Sequence, residues 1–410
     1  MLVGTKAKIM IECEKRNQIR RVCQGKTDLE TLFRNIQGDL LISGYGAANP
    51  ILLADLICSY TRRNDMPTIL LSARTELFEL LRQRQRAGEV TRMMFSDPAD
   101  RNYHPFYGMS AQYLLRFIRM TGEELGFNII MDKMMPYAAA ILNIVEASYP
   151  VSLPAMANLL RYDEAYISAH ALQMGLGSDV ADVIRANREA GVALRRTCEK
   201  LEYLFEDVYT SGSDTKYNFQ SAVLGNIAVM GFHILSPNQK VMNSYLKDEL
   251  FCTLKRVQKV RIVVDEVPFE DQDDELLKHL FQLKRQQKIE LIFVSRNASE
   301  LCDRTRMLFS NVLLFQHDNP EATAAISEML WGKYLFHYPV PVAAAPPSVV
   351  FTLKKALQWQ IATEERLRVR AEDLYSHSGF FFSTSDLVAI KTAARDIIFL
   401  VPSSFLLSAA

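Results

Sequence analysis

Residues 39–51 read Asp39-Leu40-Leu41-Ile42-Ser43-Gly44-Tyr45-Gly46-Ala47-Ala48-Asn49-Pro50-Ile51. A short apolar run, a glycine-bearing loop and the start of a periodic helix follow one another, the layout of a strand–loop–helix phosphate cradle. The helix extends from Ile51 to about Arg63, with Leu52, Leu53, Leu56 and Ile57 inward. Strand and helix signals then alternate: strand Thr68–Ser72, helix Glu76 to about Ala87, strand Val90–Phe95. A β-α-β-α-β order predicts a parallel sheet with crossover helices.

The pattern changes after Asn102-Tyr-His-Pro-Phe106. Segments 111–126, 133–148, 153–162 and 180–209 all have helical period, and strand alternation disappears. The last carries an apolar series, Val180, Val183, Ile184, Leu194, Cys198, Leu201, Leu204 and Phe205, with Gly191 on the same face to bend or divide it. The α/β pattern then resumes. Tyr217–Phe232 reads as a helix, Val260–Val264 as a strand ending in Asp265-Glu266, Asp274–Gln286 as a helix and Ile289–Val294 as a strand. Val312–Phe315 reads as a further strand and Pro320–Leu330 as a helix. The expected architecture is an α/β domain split in sequence, 1–109 and 211–335, around an all-α domain at 110–210. A Pro-rich stretch and C-terminal segment, 336–410, complete the chain.

The 410 residues carry 47 Lys+Arg and 47 Asp+Glu, a formal net charge of zero, which argues against a wholly basic nucleic-acid binder and against an acidic disordered chain. Hydrophobic residues make up 49% and charged residues 23%, so a sizeable core is available without staples. Cys13, Cys23, Cys58, Cys198, Cys252 and Cys302 form no C-x-x-C pair and read as reduced thiols of a cytoplasmic protein. The N-terminus meets charge too early for a signal peptide. Prolines 339, 341, 346 and 347 interrupt the uncharged stretch 334–353, so no membrane insertion is expected. The seven histidines lack metal-ligand spacing, and no metal is expected.

A working phosphate loop needs a Lys for the β/γ-phosphates and a Ser or Thr for magnesium. Here Asn49 stands at the last glycine, Pro50 at the Lys and Ile51 at the hydroxyl. Asn49 suits an N-cap and Pro50 a first helical residue. The residues read either as a modified nucleotide site or as an ordinary capped helix, and they favour the second. Asp265 and Glu266 end an apolar strand as the magnesium-holding and water-polarising acids of an ATPase do. The same arrangement also suits a solvated strand end. The run Arg82-Gln-Arg84-Gln-Arg86 reads as a solvated helix face rather than a phosphodiester contact, so nucleic acid is unsupported.

Taken together, the loop after Ser43, the stretch Ile69-Leu-Leu-Ser72-Ala73-Arg-Thr-Glu76-Leu77, and Arg101-Asn-Tyr-His-Pro105-Phe resemble motifs of the TraG/TraD-type coupling proteins of conjugation and type IV secretion. These belong to the FtsK/HerA branch of P-loop motor ATPases. Asp265-Glu266, the strand ending at Ser295-Arg296, and Glu321 to Leu330 continue the resemblance in consistent order over residues 36–330. It implies a RecA-like, P-loop-type parallel sheet with an inserted all-helical domain. Departures are consistent too: Pro50 and Ile51 replace the Lys and hydroxyl, Arg296 replaces a nucleotide-sensing Gln, and the family's N-terminal membrane helices are missing. The expectation is a degenerate pseudo-ATPase without a cofactor, with Gly44, Gly46, Asn49, Pro50 and Ile51 a relic loop and Asp265 and Glu266 a vestigial pair. It would act by docking to secretion or conjugation proteins, such as an active coupling ATPase or an adaptor, and reach a membrane only through them. The alternative is an active ATP- and Mg²⁺-dependent translocase of DNA or protein with an atypical loop.

Overall fold

The computed structural model describes residues 38–44, 50–63, 66–209, 217–224, 227–234, 239–267, 275–295, 309–315, 333–341, 359–367, 387–391 and 396–397, with five further residues between 321 and 328. Its elements begin with β1 (Leu40–Ser43), α1 (Pro50–Arg63), β2 (Thr68–Ser72), α2 (Thr75–Arg86) and β3 (Met93–Ser96). Six helices follow: α3 (Ala111–Glu124), α4 (Met131–Ser148), α5 (Leu153–Leu159), α6 (Glu164–Gln173), α7 (Ser178–Ala186) and α8 (Gly191–Leu204). Next come α9 (Phe219–Leu224), β4 (Val229–His233), α10 (Gln239–Leu254), β5 (Val260–Asp265), α11 (Glu275–Arg285) and β6 (Ile289–Ser295). The chain closes with β7 (Asn311–Phe315), β8 (Lys333–Pro341), β9 (Trp359–Leu367), β10 (Leu387–Lys391) and β11 (Asp396–Ile397).

Two compact units divide the chain, residues 50–293 and residues 1–49 with 294–410. Strand β6 is cut by the division, so the strand order is given unit by unit. In the first it is β6-β5-β2-β4-β3, with β2 parallel to both β4 and β5 and β3 parallel to β4. In the second it is β11-β10-β7-β1 and the end of β6, with β1 parallel to β7 and β10 antiparallel to it. The Gly44 N–H donates to the Ser295 carbonyl at 3.2 Å, which ties the loop end of β1 to the end of β6. The α/β class that the sequence predicts is met, with parallel pairing of β2 to β4 and β5, of β3 to β4 and of β1 to β7. The strands are apolar almost throughout because a parallel sheet is covered on both faces: every residue of β1, β2, β4 and β5 is buried. The one buried cation among them, Arg261, lies 3.9 Å from the centre of the Tyr60 ring and pairs with Glu290 at 2.9 Å.

Between Ala111 and Leu204 the structure is helical throughout, with no strand. Ser110, Ser152 and Asp163 accept from backbone amides at the starts of α3, α5 and α6. The long apolar series divides at Gly191 as anticipated, α7 and α8 being separated by a 3-10 turn over Arg188–Ala190. The neck of this segment is closed by backbone. Asn102 bridges Tyr209 and Tyr103 bridges Tyr217, while the Tyr103 N–H donates to Val208 at 2.9 Å and the His104 N–H to Tyr217 at 2.7 Å.

Two readings are corrected. Tyr217–Phe232 is not one helix: a short α9 is followed by β4, which pairs on both sides. The run Val229-Met-Gly-Phe-His is apolar without clear period, and Gly231 fits there because Phe78 and Phe95 press on it. An added Cβ would lie 2.6 Å and 2.8 Å from their rings. The third strand starts at Met93 rather than Val90, because Arg92 takes a left-handed φ of 64° that breaks extended geometry. Part of the Pro-rich stretch is extended, with Pro339 and Pro341 in β8 opposite Ile361 and Trp359 of β9. In a two-stranded ribbon each strand has a side without a ladder, where a missing N–H is tolerated. The helix read over 320–330 lies largely outside the described residues.

Candidate functional site

The C-terminal ends of β2 and β5 place Ser72 and Asp265 in register as neighbours. Asp265 is fully buried, and both its oxygens are occupied. The Ser72 hydroxyl donates to Oδ2 at 2.6 Å, and Arg74 Nε donates to the same oxygen at 2.9 Å. The Arg74 terminal nitrogen donates to Oδ1, which completes a two-pronged guanidinium–carboxylate fork. The Arg74 backbone N–H donates to the Ser72 hydroxyl at 3.0 Å, so the turn leading from β2 into α2 holds the arginine in place. Glu266 follows in a left-handed conformation, φ 51°, with its carboxylate 3.9 Å from Arg74.

The electrostatics of this cluster are those of a closed ion pair. Burial raises the Asp265 pKa, and the Arg74 hydrogen bonds and charge, with the Ser72 hydroxyl, act against that rise. Chemically, the guanidinium sits on the carboxylate where a divalent cation would have to bind. A metal would need to displace a buried fork and leave an arginine without its partner. Among the described residues no group of three His, Cys, Asp or Glu is arranged to hold a metal ion.

Of the loop residues singled out by sequence, Gly44 follows β1 with φ 107°, a conformation that favours glycine. Pro50 and Ile51 open α1, and the Ile51 side chain is exposed. Gly46, Asn49 and Arg296 lie outside the described residues, and with them the capping role expected of Asn49. The arginine run is committed internally at two of its three positions. Arg82 forks onto Asp97 at 2.7 and 2.5 Å, and Arg84 reaches Asp55 at 2.5 Å and Glu89 at 2.8 Å.

Two residues escaped the sequence reading. Arg74 follows β2 by two residues, but only the fold brings it to Asp265, 191 positions away. Glu249, on α10, is the second. It is fully buried with no cation beside it among the described residues, accepts from the Phe219 N–H at 2.9 Å, and hydrogen-bonds the Tyr103 hydroxyl. Tyr103 and Tyr245 share a hydrogen bond at 2.7 Å, and the Phe106 N–H donates to Tyr245 at 3.3 Å. Aromatic rings of Phe106, Phe205, Phe219 and Phe232 surround these phenols. Burial pushes the Glu249 pKa up to about 8. The signal available in sequence was Tyr245 one helical turn before an acid on an otherwise apolar face.

No helix among the described residues is long and apolar enough to cross a membrane. No family model matches the chain, and no curated protein matches it in sequence. Among solved structures, the unbound monoclinic form of the bacterial conjugative coupling protein TrwBdeltaN70 is similar at 10% identity and a TM-score of 0.47, over 94% of this chain and 90% of that one. The plasmid coupling protein TrwB in complex with the non-hydrolysable GTP analogue GDPNP gives 10% identity and a TM-score of 0.44, over 94% and 91%. VirB4 of Thermoanaerobacter pseudethanolicus is similar at 14% identity and a TM-score of 0.38, over 74% of this chain and 84% of that one.

Proposed function

We propose that this chain is a non-hydrolysing relative of the TraG/TraD-type coupling proteins, working by protein–protein docking and substrate recruitment in a conjugation or type IV secretion machine. The observation that carries this reading is the Arg74 fork on Asp265, with Ser72 as its third ligand. In a motor ATPase the acid at this position serves a magnesium ion. Here a tethered cation satisfies it, and the proline at position 50 brings neither the charge nor the N–H of a phosphate-loop lysine. Residues 110–210 are, in this reading, the docking domain, and Gly44, Gly46, Asn49, Pro50, Ile51, Asp265, Glu266 and Arg296 are relics of a nucleotide site. Its partners are proteins of the machine, and any membrane location comes through them.

The test is titration of the full-length chain with a labelled ATP analogue and Mg²⁺, beside a steady-state ATPase assay. The expected result is no saturable binding in the micromolar range and no turnover. ATPase activity that survives purification and disappears on Glu266→Gln would overturn the proposal.

A further inference from the structure

The helical segment opens with a hairpin, α3 and α4, whose tip has an unusual surface. Helix α3 stops at Glu124, Gly126 turns the chain with φ 77°, a 3-10 turn covers Phe127–Ile130, and α4 begins at Met131. The seven residues Leu125-Gly-Phe-Asn-Ile-Ile-Met131 carry no charge. Ile129 is 100% exposed and Leu125 38% exposed, and no side chain of the 3-10 turn is buried. An isolated exposed leucine needs no explanation, but a fully exposed isoleucine beside an exposed leucine, on an uncharged turn whose Phe127 and Ile130 are only half-buried, does.

Directly beneath the tip α3 and α4 pack closely enough that a Cβ on Gly122 would lie 2.6 Å from Met134 Cε and 3.1 Å from Met131 Cε. The turn is therefore carried where the two helices meet.

Charge decides what the turn fits. Glu123 and Glu124 precede it and Asp132 follows it, all three exposed. The adjacent cation, Lys133, is engaged by Glu189 at 2.6 Å, and the next cation back on α3, Arg119, lies a full turn down the stalk. The tip is thus an apolar knob in an acidic collar. A second copy would bring acid against acid, and an anionic lipid surface would repel it in the same way. We propose that Leu125–Met131 is a docking knob for a protein surface that offers an apolar socket rimmed by Lys and Arg. The proposal deepens the docking reading above and rests on it for the biological setting, not for its geometry.

The test places the photoreactive residue p-benzoyl-phenylalanine at position 129 of the full-length chain, expressed in cells of its source. Irradiation should join it to a protein, at an apolar peptide flanked by Lys or Arg. The same probe in place of Val192, also exposed on this segment, should not give that adduct. Reversing the collar with Glu123→Lys, Glu124→Lys and Asp132→Lys should reduce the adduct about tenfold or more, since like charges across an interface are strongly disfavoured. Circular dichroism melting of each variant reports whether the fold is kept, and Ile129→Ser, which alters only an exposed side chain, supplies a second loss-of-adduct variant. An adduct with a second copy, with phospholipid or with a peptide lacking basic neighbours would overturn the proposal. So would an adduct indifferent to charge reversal, or none at all. Nucleotide titration of the same variants separates the two ideas: ATP binding would remove the pseudo-ATPase reading and leave the knob standing.

Discussion

Glu249 should make the stability of this protein fall as pH rises through neutrality. Its pKa is about 8 in the folded chain against an ordinary 4.5, with burial as the main cause and the Phe219 N–H opposing it. Between those two values the folded state holds a proton that the unfolded state has released. Stability contributed by the protonated acid is complete below pH 4.5 and is lost as pH climbs to about 8, at about 1.4 kcal/mol per pH unit. Over pH 6.5 to 8 the loss is about 2 kcal/mol. His233 and His279 are shifted down from 6.5 by burial, so their contribution has the opposite sign. They are common to wild type and Glu249→Gln, and the difference between the two profiles isolates Glu249. The glutamine keeps an acceptor for Phe219 and a donor toward Tyr103, and it does not titrate. Urea unfolding followed by far-ultraviolet circular dichroism should give a falling profile for wild type and one flatter by about 2 kcal/mol over the interval for Glu249→Gln. Parallel profiles would refute the reasoning.

Arg74→Ala should strip Asp265 of its buried partner and cost about 3–5 kcal/mol, whereas Arg74→Met with Asp265→Leu should recover most of that, as read from thermal melts. Gly231→Ala should cost about 1–3 kcal/mol through its clash with Phe78 and Phe95, and Phe78→Leu in the same chain should cost less than the two changes added separately. Cys58, whose pKa burial raises to about 11, and fully buried Cys198, raised likewise, should resist iodoacetamide in the native protein at neutral pH and react once it is unfolded, as mass spectrometry of tryptic peptides will show.

What the sequence disclosed follows from where each signal resides. Strands β1, β2, β5 and β6 are short apolar runs bounded by turn residues, and helices α3, α4 and α8 carry long periodic faces, so local pattern was enough for them. Strand β4 was misread because Val229-Met-Gly-Phe-His lacks period altogether, and its strand state is fixed by pairing with β2 and β3 rather than by its own residues. Helix α6 went unread because its apolar face is short: of the three residues it buries, Ile167, Ser168 and Ala171, only two are apolar. The acid pair could be located from sequence but its state could not. The residue that determines that state, Arg74, is adjacent to Asp265 only through the order of strands in the sheet. In sequence Glu249 is marked only by its place one helical turn after Tyr245, and only the convergence of Tyr103, Tyr245 and Phe219 in the fold makes it a buried acid.

The closed neck of the helical segment bears on how such a chain can be remodelled. Asn102 and Tyr209 face each other across a bridge, so the polypeptide leaves the sheet and returns to it within about 5 Å. A segment whose ends nearly touch can be exchanged as a cassette: the loop that would close over its deletion needs only a few residues, and the entropy of closing so short a loop is small. Any helical module with similarly juxtaposed ends could be spliced just inside this bridge, after Tyr103 and before Phe205, so that Tyr103, Phe205 and Tyr209 stay on the sheet side of the cut. The helical segment and the sheet are in this sense separable parts, each free to change without renegotiating the other's fold.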